Sequence, residues 1–210
     1  MNAKHHWEHV YTTKRPHEVS WFQNKASVSL SLIARVAQDP RTVILDVGGG
    51  ASTLVDGLLE AGYQNVTVLD ISSAGMAQAQ TRLGTPADNV RWREADILRC
   101  DLAEASVDLW HDRAVFHFFT AADDRARYAG QVRRALRPGG HLVIATFAED
   151  GPRRCSGLDV ARHGEWSLQK EFGDDFELLS KQREDHVTPD GAHQAFLYCL
   201  FRYAPRKPKT

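Results

Sequence analysis

Residues 42–52, Thr-Val-Ile-Leu-Asp-Val-Gly-Gly-Gly-Ala-Ser, constrain the fold more than any other stretch of the chain. The β-branched and aliphatic run 42–47 has the composition of a strand buried on both faces, which belongs inside a parallel sheet. Three glycines stop it, and residues 53–61 then take up a helical pattern with Leu58 and Leu59 on the apolar side. Glycines at such a turn let a ligand approach the backbone with no Cβ in the way, at the carboxyl end of a strand where open α/β sheets bind. A dinucleotide fingerprint would need a third glycine where Thr53 stands, which weakens a dehydrogenase reading.

The rest of the chain alternates in the same manner. Two helices are expected over residues 5–37, the first broken by Pro16 and the second beginning at 19–22 and ended by Asp39-Pro40. Strands are expected at 66–69, 90–93, 107–110 and 141–147, with helices at 74–83 (capped by Ser72) and 121–136. A Gly-, Pro- and charge-rich loop follows at 148–158, then a helix over 164–172. Strands 176–187 and 194–203 close the chain around the turn 188–191, and 205–210 reads as a solvated end. The pattern is that of an α/β protein: a Rossmann-like, doubly wound, mostly parallel seven-stranded sheet with an antiparallel final hairpin and an N-terminal helical cap. It reads as one domain over 1–210, the cap at 1–40 and the core at 41–205.

Asp46-x-Gly48-x-Gly50-x-Ser52 resembles the first motif of the class I S-adenosylmethionine (SAM)-dependent methyltransferases, with serine in place of the usual third glycine. Leu136-x-Pro138-Gly139-Gly140 before a β run is similar to another piece of that family's pattern, a helix stop and tight turn. The resemblance implies SAM as cofactor and S-adenosylhomocysteine as product, held along Asp46, Gly48, Gly49, Gly50 and Ser52. Asp70, about twenty residues past the glycines, is placed to accept from both ribose hydroxyls, with Ile71 beside it. Ala95-Asp96-Ile97 resembles the adenine site, where the acid accepts the amino proton and the next N–H meets a ring nitrogen; otherwise Asp96 is a turn residue. Tyr11 and Trp21 either cover the methionine end of the cofactor or, with Trp7, pack the cap onto the sheet.

Methyl transfer from a sulfonium demands alignment and desolvation more than a catalytic constellation. Candidates to assist it follow the fourth strand. The string Trp110-His111-Asp112-Arg113-Ala114 looks like the Asp-Arg-Ala segment of thiopurine-methyltransferase-like enzymes. His111 could take a proton or touch cofactor, Asp112 could steady a cationic amine or bond the cofactor's methionine amine, and Arg113 could hold an anionic acceptor. His117 and Phe118 either reach the site or only pack, and Cys155 either faces the acceptor or is an inert small residue. His186 and His193 bracket the last turn, but no tight ligand spacing joins them to Cys155, His111 or His163, so no metal is assigned. His5 and His9 read as a surface pair.

The charge balance, 26 Lys+Arg against 27 Asp+Glu, gives no global attraction to nucleic acid or an anionic membrane. No apolar run is long enough to span a bilayer. Three scattered cysteines suit a reducing cytoplasm better than a disulfide framework. The expected partner is a small-molecule acceptor, with a thiol or other chalcogen compound the first choice. A protein lysine methyltransferase is the alternative acceptor class, and a non-catalytic SAM-binding module the alternative to an enzyme. Oligomeric state is not legible.

Overall fold

The computed structural model describes residues 2–205; most of the expected solvated end, 206–210, lies outside them. Seven strands form one sheet: β1 (Val43–Val47), β2 (Asn65–Asp70), β3 (Val90–Glu94), β4 (Val107–Arg113), β5 (Leu136–Phe147), β8 (Phe176–Val187) and β9 (His193–Tyr203). Their order is β3-β2-β1-β4-β5-β9-β8, with β9 antiparallel between β5 and β8 and the first five strands parallel. A two-stranded ribbon, β6 (Arg154–Cys155) and β7 (Leu158–Asp159), stands apart from the sheet. The helices are α1 (Ala3–Thr13), α2 (Ser27–Val36), α3 (Leu54–Glu60), α4 (Ser73–Leu83), α5 (Ala122–Ala135) and α6 (Glu165–Phe172).

Strand periodicity splits the core in two. Leu45, Val47, Trp110 and Ile144 face α5 and α6, where they meet Tyr128, Val132 and Phe172. Ile44, Leu109, Val143 and Ala145 face α2 and α3, where they meet Leu32, Ile33, Leu54 and Leu58. The polar residues of β1 and β4 obey the same alternation, and this decides their roles.

Local chemistry sets the element ends. Ser72 Oγ accepts from the Gly75 N–H at 3.1 Å and caps α4. After α3, Gly62 takes φ +85°, its N–H donates to Leu59 and that of Tyr63 to Leu58, a Schellman stop. The Pro138-Gly139-Gly140 turn falls inside β5 as a ladder irregularity, because Leu136 already pairs with Val107. A Cβ at Gly140 would stand 2.9 Å from the carbonyl oxygens of Arg137 and Asp108.

Two expectations are corrected. The second helix starts at Ser27, not at residues 19–22. The carbonyls of Ser20, Trp21 and Gln23 are committed instead to His186 Nε2, Arg113 Nη1 and Thr53 Oγ1, so they do not accept from amides four residues on. β4 runs to Arg113 rather than stopping at Trp110, because β1 and β5 flank it and pair with it through His111 and Asp112. The loop at 148–158 also holds structure: Ser156 and Gly157, at φ +48° and +78°, turn the β6–β7 ribbon.

Candidate active site

The strand order reverses between β1 and β4, and a cavity of about 480 Å3 opens over the carboxyl ends of the strands there. Gly48, Asp70, Ile71, Asp96, Ile97 and Arg113 border it from the core side. The turn after β1 carries Gly48 at φ +70° and Gly50 at φ +40°. A Cβ on Gly50 would stand 2.8 Å from the Tyr11 hydroxyl and 2.9 Å from Asp70 Oδ2; one on Gly49 would stand 2.5 Å from Asp46 Oδ2. The turn, Tyr11, Asp46 and Asp70 are thus one close-packed group that admits only glycine.

Asp70 is buried at the end of β2, where its Oδ1 accepts from the Ser72 N–H at 2.8 Å. Burial pushes its pKa up to about 7; the nearby Asp46 charge adds to the rise and backbone N–H donors oppose it. Asp96 accepts from the Leu98 N–H at 3.0 Å in the turn beyond β3 and borders the cavity beside Ile97. Asp46, Gly49, Ser52 and His111 do not border the large cavity. They line an adjoining crevice of about 40 Å3 together with Tyr11, Trp21, Gly48 and Arg113. Ser52 Oγ accepts from the Leu54 N–H at 3.1 Å, serving the start of α3.

The three candidates on β4 separate by parity. His111 points toward α2 and is 2% exposed. Its Nδ1 lies 2.7 Å from Asp46 Oδ1 and its Nε2 lies 2.8 Å from Ser29 Oγ. With both nitrogens engaged inside the protein, His111 has no free site for an acceptor proton, and the expected base role is corrected to a strut between β1, β4 and α2. Asp112 points the other way and is fully buried. It accepts from the N–H groups of Val115 at 2.9 Å and Phe116 at 3.0 Å and from the Tyr128 hydroxyl. Burial raises its pKa to about 6 against those hydrogen bonds. It fixes the turn after β4 and does not reach the cavity, so its expected contact with an amine is also corrected.

Arg113 does reach the cavity. Its Nε donates to the Tyr198 hydroxyl at 2.8 Å and its Nη1 to the Trp21 carbonyl at 3.1 Å, while the guanidinium lies 4.3 Å over the Phe196 ring. Its Nη2 is buried without a hydrogen-bond partner, the Glu184 carboxylate standing 3.6 Å away.

The cap and the ribbon border the cavity on its outer side. Trp7 packs edge-on against Trp21 and Phe118, at 5.6 and 5.0 Å between ring centroids, and all three border the cavity. So do Cys155 and Leu158, which face each other across the ribbon. His6 Nε2 and Ser156 Oγ, 3.3 Å apart, join α1 to the ribbon. Glu8 ties α1 to α4: its carboxylate accepts from the N–H groups of Ser73 at 2.7 Å and Ala74 at 3.2 Å, at the positive end of α4. Burial pushes the Cys155 thiol up to about 11, so it is a neutral wall residue. His117 borders no part of the cavity and burial holds it near 3.

No group of three or more His, Cys, Asp or Glu is placed to hold a metal among the described residues. His186 binds the Ser20 carbonyl and His193 lies 2.7 Å from Asp185, so the two do not converge. No described helix is long and apolar enough to cross a membrane. Sequence reasoning missed Leu158, Glu8 and Glu184. Each acquires its place only through tertiary contact, and no local pattern marks it.

Residues 45–144 match the family model described as a methyltransferase domain. An uncharacterized methyltransferase of Mycobacterium tuberculosis is 32% identical over 150 residues, covering 70% of this chain and 66% of that protein. The eEF1A lysine and N-terminal methyltransferase of Danio rerio is 24% identical over 153 residues, 71% of this chain. The chain spans only 22% of that protein, and 4% of a similar hybrid PKS-NRPS synthetase of Penicillium citrinum. Among solved structures, the Burkholderia thailandensis 1,6-didemethyltoxoflavin-N1-methyltransferase with bound 1,6-didemethyltoxoflavin and S-adenosylhomocysteine superposes with a TM-score of 0.69. It is 24% identical, and the match covers 97% of this chain and 84% of that one.

Proposed function

We propose that this chain, a SAM-dependent methyltransferase carrying its matched domain on the class I fold, transfers the methyl group to a small-molecule acceptor. The cofactor fits the site on the structure's own terms. The glycine turn leaves no room for a Cβ, the buried Asp46 Oδ2 has no partner, and Asp70 and Asp96 both border the cavity. In this assignment Gly48, Gly49, Gly50 and Ser52 form the turn, Asp70 and Ile71 hold the ribose, and Asp96 and Ile97 the adenine. Tyr11 and Trp21 wall the methionine end. Bound there, SAM would supply a methyl on a sulfonium: the acceptor–carbon bond forms as the carbon–sulfur bond breaks, the sulfur keeps the electron pair, and S-adenosylhomocysteine leaves. The chain's own residues orient the partners and exclude water. His111 and Asp112 act behind the site by holding the turn and β4 in place.

The roof carries the small-molecule reading. α1 and the β6–β7 ribbon, both of which border the cavity, are joined at His6 and Ser156, and its volume of about 480 Å3 lies in the ordinary range for small ligands. The thiopurine-methyltransferase-like string at 110–114 adds a thiol or other chalcogen as first acceptor to try. The lysine alternative draws on the Danio rerio relative, which bears that activity in its name. Calorimetric titration with SAM, S-adenosylhomocysteine and NAD tests the cofactor: the first two bind and NAD does not. Product formation from thiols and heteroaromatic acceptors, against none from lysine peptides, then tests the acceptor class. The reverse pattern refutes it, and binding without any turnover leaves a SAM-binding module.

A further inference from the structure

We propose that Arg82, oriented by Asp56, is the positioning residue of the cofactor turn: from behind the site it holds residues 48–52 in the shape that receives SAM, without touching the cofactor. This rests on the reading above that the glycine turn meets the cofactor.

The first observation is a guanidinium committed to the turn. Arg82 lies in the last turn of α4. Its Nη1 donates to the Ala51 carbonyl at 2.9 Å and its Nη2 to the Ser52 carbonyl at 2.7 Å. Among the described residues no other donor reaches either carbonyl. The other edge of the fork is filled by Asp56 of α3, whose two oxygens accept from Nε at 2.9 Å and from Nη2 at 2.7 Å. A bidentate carboxylate fixes the plane of a guanidinium, and the fixed plane aims the remaining N–H groups. The two side chains are 29% and 26% exposed, so this is not a fully solvated surface pair.

The second observation is what the two carbonyls control. A trans peptide holds its C=O and N–H on opposite sides. With the Ala51 carbonyl drawn to Arg82, the Ser52 N–H is turned the other way, where it donates to the Gly49 carbonyl at 2.7 Å. That bond closes the turn from Gly49 to Ser52 around Gly50, at φ +40°, and the Gly50 N–H donates in its turn to Asp70. α4 grips the same turn at a second point, where a Cβ on Gly75 would stand 3.3 Å from the Gly50 Cα. Arg82 itself borders neither the cavity nor the adjoining crevice. Gly48, Gly49, Ala51 and Ser52 do line the crevice, beside Tyr11 and Trp21. The clamp therefore acts through the backbone, on the end of the site assigned to the methionine part of the cofactor.

The test is calorimetric, with S-adenosylhomocysteine and adenosine as paired probes, at a temperature where circular dichroism shows each variant folded. Arg82→Met should weaken S-adenosylhomocysteine about tenfold or more and adenosine by less than about threefold, since adenosine lacks the part that lies along the crevice. A merely structural arginine would lower the unfolding midpoint and leave both affinities alone, or lower both by one factor; either result overturns the inference. Asp56→Asn should repeat the selective loss at smaller size. In the Arg82→Met background it should add less than about twofold, because Asp56 acts only through Arg82. Losses that multiply independently overturn the role given to Asp56. Should Arg82→Met not fold, Asp56→Asn carries the same comparison of probes. Two wild-type results concern the cofactor reading instead, and neither involves Arg82. Wild-type protein that binds no S-adenosylhomocysteine has failed that reading, and wild-type protein that binds it no better than adenosine has failed the placement of the methionine end at the crevice.

Discussion

Asp70 should make cofactor affinity depend on pH in a way that its isosteric replacement removes. Its carboxyl is buried and titrates at about 7 in the free protein, chiefly because burial penalises the charge. Ribose hydroxyls donate to the ionised form, so binding below pH 7 must first expel a proton. The association constant for S-adenosylhomocysteine should then fall about tenfold per unit below 7. At pH 5.5 the loss is about 30-fold, or about 2 kcal/mol at 1.36 kcal/mol per unit. Asp70→Asn keeps an oxygen for the Ser72 N–H but lacks the charge, so it should bind about 10- to 100-fold more weakly at pH 8, with a flat profile. Stability gives the matching sign. A carboxyl whose pKa is raised on folding favours the fold below its ordinary value near 4, and that advantage is lost as pH rises through 7. The variant should therefore gain stability on the wild type as pH increases from 4 to 8. Calorimetry from pH 5.5 to 8, in two buffers of different ionisation enthalpy, reads both the affinity and the proton released. A wild-type affinity that stays flat over this range, or an Asp70→Asn protein that keeps the slope, would refute the assignment of Asp70 to the ribose.

Two further perturbations separate framework from site. Ser29→Ala removes only the partner of His111 Nε2; it should cost about 1–3 kcal/mol in denaturant unfolding and leave the pH profile of turnover unmoved, whereas a shifted profile would return His111 to the chemistry. Glu8→Ala removes the carboxylate that accepts from Ser73 and Ala74, so amide exchange over residues 3–13 should quicken and S-adenosylhomocysteine should dissociate faster, while unchanged exchange would show that α1 is held by its aromatic contacts alone.

The fold was legible because each of its signals is local. The buried run at 42–47, the glycines after it and the repeated strand–helix spacing are set by residues close in sequence, and the strand order 3-2-1-4-5 follows from them by right-handed crossovers. The residues bordering the inner side of the cavity were legible for the same reason: Gly48, Asp70 and Asp96 lie at or just beyond the carboxyl end of a strand, so finding the strand finds the residue. The second helix was misplaced where backbone carbonyls answer to distant donors. Nothing near Trp21 in sequence reveals that its carbonyl belongs to Arg113, ninety-two residues away.

The acceptor end was hardest because reactivity and position are independent properties of a side chain. His111, Asp112 and Arg113 have the chemistry of a base, an acid and an anion holder, and as a string they invite a shared role. On a strand they cannot share one, since successive side chains leave by opposite faces. Asp112 is sent to α5, where Tyr128 waits; His111 and Arg113 are sent to the side of α2 and the cap. The last two then differ by depth. His111 lies one step deeper in the sheet, level with Asp46, and is absorbed by it, whereas Arg113 stands at the end of β4, beyond the last β1 pairing, where it pairs with Glu184 and borders the cavity. Had β4 stopped at Trp110, as its apolar run suggests, the three residues would have been free to gather at the cavity. Pairing with β1 and β5 through Asp112 prevents that, and of the three Arg113 alone borders the cavity.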